Sequence, residues 1–149
     1  MNRRAFTMME LIFVIVILGI LAAVALPKLA ATRADAEVSK IAQNVMIGAS
    51  EILSYAVAKG RTENDLKSMS NGIASLESSG NAVLSNKKAV VSVGGVSDCL
   101  TLDVITGAED ENLTISLGNA GADSQCLSLQ SAIDATKYPL KLRGQSVQY

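Results

Sequence analysis

Phe6 to Pro27 reads FTMMELIFVIVILGILAAVALP, and within it Leu11 to Leu26 is a run of sixteen residues without a polar side chain. As an α-helix rising about 1.5 Å per residue, Phe6 to Leu26 is about 30 Å long, the thickness of a bilayer's hydrocarbon core. Two arginines, Arg3 and Arg4, precede it and favour a cytoplasmic N-terminus. A secretory signal peptide shares the basic start, and Ala23-Val24-Ala25 imitates a cleavage site, but the apolar run is longer than such a peptide needs. A plain membrane anchor accounts for the length and the arginines. It leaves Glu10 unexplained, because an ionised carboxylate at the head of an apolar helix is costly and calls for a partner or a purpose. The positive end of the helix dipole and an orphan backbone N–H near position 10 are one such partner.

Arg3-Arg4-Ala5-Phe6-Thr7-Met8-Met9-Glu10-Leu11, followed by the apolar run, resembles the N-terminus of type IV pilins and of the related pseudopilins of type II secretion and competence systems. The resemblance covers about Arg3 to Leu29. It implies that a leader, residues 1–5, is removed by a prepilin peptidase between Ala5 and Phe6, and that Phe6 is then N-methylated. Ala5 stands where glycine is usual. Glu10 matches the family's glutamate, which implies a role in assembly by meeting the Phe6 amine of a neighbouring subunit. Gly19 and Pro27 match the positions where the family's helix breaks. The partners implied are identical or related pilin subunits, the prepilin peptidase, an inner-membrane assembly platform and the lipid bilayer. The location implied is the inner membrane, as a single pass with a periplasmic head, and then a pilus or a periplasm-spanning pseudopilus.

Residue chemistry agrees with weak points at those two positions. Pro27 has no N–H to give the Ala23 carbonyl, so a kink or loosening is expected there. Gly19 and Ala23, four apart, offer a small face to another helix. Beyond Pro27 a helix is expected to resume as an amphipathic segment, residues 28–59. In it Val38, Ile41, Ala42, Val45, Ala49, Ile52, Leu53 and Ala56 recur at spacings of three and four. Gly60 suits a helix stop. A connecting region, residues 60–87, follows: Thr62-Glu63-Asn64-Asp65 reads as a helix start, and Leu66, Met69, Ile73 and Leu76 as a short helix interrupted near Asn71-Gly72.

From residue 88 the pattern changes to short apolar runs split by glycine-rich turns. Ala89–Val93, Cys99–Ile105, Leu113–Leu117 and Cys126–Leu129 read as strands, with Leu140–Arg143 as an edge strand after Pro139. The expected fold is α+β and pilin-like: residues 6–27 as membrane and filament-core helix, and residues 28–149 as a periplasmic domain in which the amphipathic half of a long kinked helix packs on an antiparallel sheet, residues 88–149.

Composition sets the outer bounds. The 149 residues suit one domain, and 49% hydrophobic against 18% charged content excludes a disordered chain. With no histidine, a Ser-His-Asp triad, an imidazole base and a His-ligated zinc site are all excluded. There is no dinucleotide fingerprint, no phosphate-binding loop and no nucleophile elbow. A net charge of −1 argues against a nucleic-acid-wrapping surface.

Cys99 and Cys126 are too few for a thiolate zinc site. Outside the cytosol they suit a single disulfide, with two buried free thiols as the alternative. Asp103, Glu109, Asp110 and Glu111 around Gly107 are candidate Ca²⁺ ligands, set against a solvated acidic turn. Lys87-Lys88 and the Lys137, Lys141, Arg143 group are candidate contacts for DNA, set against ordinary surface charge; Tyr138 and Tyr149 are the only aromatics beside them. Neither an enzyme activity nor a cofactor is expected. The function expected is a subunit of a type IV pilus or pilus-like filament. The alternatives are a pseudopilin of a type II secretion or competence system, and an anchored binding module that never polymerises.

Overall fold

A computed structural model describes residues 6–107 and 110–143. The chain divides into two compact units, Met1–Ala36 and Glu37–Tyr149, each described by itself below; the division falls beyond Pro27. One helix, α1 (Met8–Lys59), belongs to both. It includes Gly19 and Pro27 without interruption. It ends at Gly60, whose φ of +67° is the left-handed conformation that glycine adopts without a Cβ clash, and whose N–H reaches the Ala56 carbonyl at 2.8 Å.

In the second unit the expected stripe is the buried face of α1: Val38, Ile41, Ala42, Val45, Ala49, Ile52 and Ala56 all lie in the core, with Leu53 packed against it. The segment after Gly60 is more broken than the sequence suggests. Asp65 caps a single 3₁₀ turn, Leu66–Ser68, and Ser70 starts α2 (Asn71–Ser78) by accepting the Ile73 N–H at 3.0 Å. Asn71-Gly72, expected as the interruption, instead opens α2.

Gly72 is required by contact: a Cβ there would lie 2.6 Å from the Asn44 carbonyl oxygen and 2.9 Å from the Gly48 nitrogen. The two helices cross glycine on glycine. Glu51 of α1 then takes the Gly72 N–H at 2.9 Å and the Ser70 hydroxyl at 2.7 Å on one carboxylate oxygen. The Gly72 amide holds the Glu51 carboxyl below the ordinary carboxylate range, against the opposing effect of burial and with help from Ser70.

Five strands form an antiparallel meander in chain order: β1 (Ala82–Ser85), β2 (Lys88–Val93), β3 (Val96–Thr106), β4 (Glu111–Leu117) and β5 (Leu140–Arg143). Alternate residues of β2 face the core, Ala89, Val91 and Val93, as the period of two requires. The sheet therefore starts at Ala82, inside the segment expected to be connection. Leu140–Arg143 is the strand expected, at the sheet's edge beside β4.

Cys126–Leu129, expected as a strand, is helical: it lies in α3 (Ser124–Ala132). Cys126, Leu129 and Ile133 are spaced three and four and are buried, whereas Leu127 is exposed, which is a helical pattern hidden in a short apolar run. Asp123 caps α3 by accepting the Cys126 N–H at 2.8 Å, and the same carboxylate takes the Gly95 N–H at 3.2 Å from the β2–β3 turn. Cys99 of β3 and Cys126 form a disulfide with 5.6 Å between Cα atoms. Gln130 adds two bonds, both 2.8 Å, to the Cys99 and Gly118 carbonyls. Covalent and polar ties thus fix a helix whose own buried face is small.

At the far end of the β3–β4 hairpin, Glu111 is buried and accepts from Thr62 (2.7 Å), Lys87 (2.8 Å) and Thr106 (3.2 Å) on Oε1, while Arg143 lies 3.8 Å from Oε2. Burial works to raise the Glu111 pKa, but bonds from Lys87 and Thr62, the Lys87 charge and the Thr106 hydroxyl outweigh it and leave the net shift downward. Lys87 makes this reach from a positive φ of 55°, and its N–H binds the Asn64 carbonyl at 2.8 Å. The pair joins the 60–68 segment to the sheet.

Three outcomes follow for the detergent-extracted chain. Gly72→Ala forces α2 away from α1 and should destabilise by roughly 1–3 kcal/mol in urea unfolding; an unchanged midpoint would mean that the helices do not cross this closely. Cys99→Ser should cost roughly 3 kcal/mol, and alkylation under non-reducing conditions should leave both wild-type cysteines unmodified. Because the folded Glu111 pKa is depressed, its contribution is fully present above the unfolded value of about 4.3 and is lost as pH falls through the lower folded value. The urea midpoint should accordingly drop on acidification below about pH 4.3, less steeply in Glu111→Gln.

Candidate functional site

Phe6 through Arg33 are all exposed in the first unit, including Phe13 at 67% and Val24 at 73%. An apolar surface of this length, left uncovered by its own fold, requires a bilayer or other helices as its surroundings. The helix is long and apolar enough to cross a membrane. Arg3, Arg4 and Ala5, the residues before the expected cleavage bond, lie outside the described residues. Phe6 itself is non-helical and 80% exposed.

Thr7 and Glu10 are joined by three hydrogen bonds. The Thr7 N–H donates to Glu10 Oε2 at 2.9 Å, the Thr7 hydroxyl donates to the same oxygen at 2.8 Å, and the Glu10 N–H donates to Thr7 Oγ1 at 3.2 Å. With α1 starting at Met8, Thr7 is the N-cap and Glu10 the third helical residue, so the two form a reciprocal capping box. The bond expected from sequence, Glu10 to one orphan N–H, is thus part of a reciprocal pair with Thr7. The signal was present as T-x-x-E before an apolar run.

On the flank of the helix, Met9, Ile12, Phe13 and Val16 line an apolar groove with Glu10 at its rim. Gly19 meets nothing within 4 Å of where a Cβ would stand, which leaves its face open to close approach. Pro27 sits inside α1, followed one turn later by the Thr32 hydroxyl on the Lys28 carbonyl at 2.6 Å.

The other candidates do not come together. Glu111 turns inward to Lys87, and Asp110 meets Asn112 at 3.5 Å, while Glu109 lies outside the described residues. Among the described residues, no group of three or more Cys, Asp or Glu side chains is placed to hold a metal. Lys87 is spent on Glu111, and Lys137 pairs with Asp134 at 3.7 Å. Tyr138 packs against the core and Tyr149 is outside the described residues.

No curated protein and no solved structure matches the chain. The arrangement is a pilin-like α+β fold, a long N-terminal helix with a five-stranded antiparallel sheet. Residues 1–26, which hold Arg3, Arg4, Phe6, the capping box and the apolar run, match the prokaryotic N-terminal methylation motif, the signature of type IV pilins and pseudopilins.

Proposed function

We propose that this chain is a structural subunit of a type IV pilus or pilus-like filament. It is held in the inner membrane by residues 6–27, with residues 28–149 as a periplasmic head, and polymerises through its N-terminal helix. The observation that carries the reading is the exposed apolar helix headed by one carboxylate, Glu10, inside a methylation motif. Leader removal between Ala5 and Phe6 would leave a positive amine one helical turn from that carboxylate. In a bundle of identical helices apolar contact sets no axial register, whereas a charge meeting an opposite charge on a neighbour does. Glu10 and the Phe6 amine of the next subunit are that pair in this proposal. N-methylation of Phe6 keeps the amine cationic.

Gly19 and Pro27 give the helix its weak points. The Ala23 carbonyl has no proline N–H to accept, and a glycine in the interior adds backbone freedom. Local loosening between them on assembly would let neighbouring helices pack.

The test is Glu10→Val in the native host, with membrane-inserted protein, leader removal and sheared surface filaments measured separately. Thr7 Oγ1 still accepts the N–H of residue 10 in this variant, although its own N–H is freed, so normal insertion and at most a modest slowing of cleavage are expected, with filaments reduced at least tenfold. Normal filament yield would return the chain to an anchored module that does not polymerise. Mass spectrometry of the native protein should find a chain that begins at methylated Phe6.

A further inference from the structure

We propose that Thr7 is a helix stop that holds the bond before Phe6 out of the helix and so sets the rate at which the leader is removed. The inference rests on the leader reading given above and adds the residue that presents the bond. Arg3, Arg4 and Ala5 are all strong helix formers, and so are Met8, Met9 and Leu11 on the other side. Once a helix is nucleated, each further residue adds a bond for little cost, so nothing in the composition of this stretch ends the helix at Met8.

The stop is supplied by Thr7. An N-cap residue takes a non-helical backbone conformation, and here the cap is reinforced at both ends: Oγ1 takes the Glu10 N–H at 3.2 Å, and Glu10 Oε2 takes the Thr7 N–H at 2.9 Å. A Thr7 N–H occupied by a side chain is not available to a carbonyl four residues upstream. Phe6 and Thr7 are accordingly non-helical, and α1 begins at Met8. Proteases cut exposed, extended backbone, and a bond wound into a helix must first unwind. The cap thus leaves Phe6 non-helical, two residues before the helix.

Removal of the cap should make cleavage slow without changing the scissile residues. The experiment is pulse-labelling of the full-length chain in its native host, with the mass shift of leader removal followed over time and normalised to membrane-inserted protein. Thr7→Ala should slow cleavage, by up to about fivefold given the usual cost of a lost N-cap. Thr7→Ser and Thr7→Asn, which also cap, should stay near the wild-type rate.

The double variant Thr7→Ala with Met8→Pro separates a backbone effect from recognition of the hydroxyl. Proline suits the first helical position and drives the preceding residue away from helical conformation, so it should restore cleavage with no hydroxyl present. Thr7→Ala at the wild-type rate would overturn the proposal. A double variant as slow as Thr7→Ala alone would overturn it too, since the peptidase would then be reading the hydroxyl itself. A wild-type chain that is never cleaved would overturn the leader reading as well, and is seen in the wild-type sample before any variant is compared.

Discussion

A single helix has to satisfy two different surroundings, and the rest of the structure is arranged around that demand. From Val38 to Ala56 the apolar residues of α1 keep helical spacing and are buried in the core of the second unit. From Phe6 to Arg33 there is no such selection of one face: every residue is exposed, and the apolar ones go all the way round. A helix apolar on all sides belongs in lipid or among other helices, whereas one with a single stripe belongs on the surface of a domain. The change of pattern is written in the polar residues, which are absent from Leu11 to Leu26 and regular from Asp35 onward.

The second unit buries a helix face in which Val38, Ile41, Val45 and Ile52 alternate with small residues, and it adds specific ties to that packing. Ala42, Ala49 and Ala56 allow close packing along α1, and the Gly48–Gly72 crossing brings α2 nearer than any side chain at position 72 would permit. Close approach brings the start of α2 against α1, with the Gly72 N–H within reach of a side chain on that helix. Glu51 accepts the Gly72 N–H and the Ser70 hydroxyl there, so the crossing and the carboxylate are parts of one solution. The same logic holds α3, whose N-terminus Asp123 caps while also binding the β2–β3 turn. The disulfide from Cys126 to β3 and the two bonds of Gln130 complete its attachment. With only 3% aromatic residues in the chain, these short helices are anchored by aliphatic side chains, Ile73 and Leu76 of α2 and Leu129 of α3, together with these ties.

Much of this was legible in the sequence because it follows from periodicity. The stripe on α1, three of the strands and the edge strand at Leu140–Arg143 come from the spacing of apolar residues, and the stop at Gly60 from the glycine itself. What was missed depended on few residues or on partners distant in sequence. Cys126–Leu129 is four residues long, too short for its period to distinguish helix from strand, and the capping Asp123 and buried Ile133 on either side carried the decisive information. β1 was hidden in Ala82–Ser85, whose four residues gain a sheet only through pairing with β2. Glu111 looked like one of several carboxylates on a solvated turn. Its burial is set by Lys87 and Thr62, which are 24 and 49 residues away.

The capping box at Thr7 and Glu10 is local, and under the proposed assembly its consequence reaches beyond one chain. A carboxylate has two oxygens and accepts about four hydrogen bonds. Both Thr7 donors land on Oε2, so the box leaves capacity on the same side chain for a further donor. A carboxylate engaged by its own helix is tolerable at the start of an apolar segment while the subunit stands alone, because two of its hydrogen bonds no longer depend on water. It is also held in one place relative to the helix axis, and the entropy of ordering it has been met before a neighbour arrives. Local capping and the proposed pairing between subunits are therefore compatible uses of Glu10. The first prepares the geometry that the second requires, and it explains in physical terms why a threonine stands three residues ahead of the only charge in the apolar stretch.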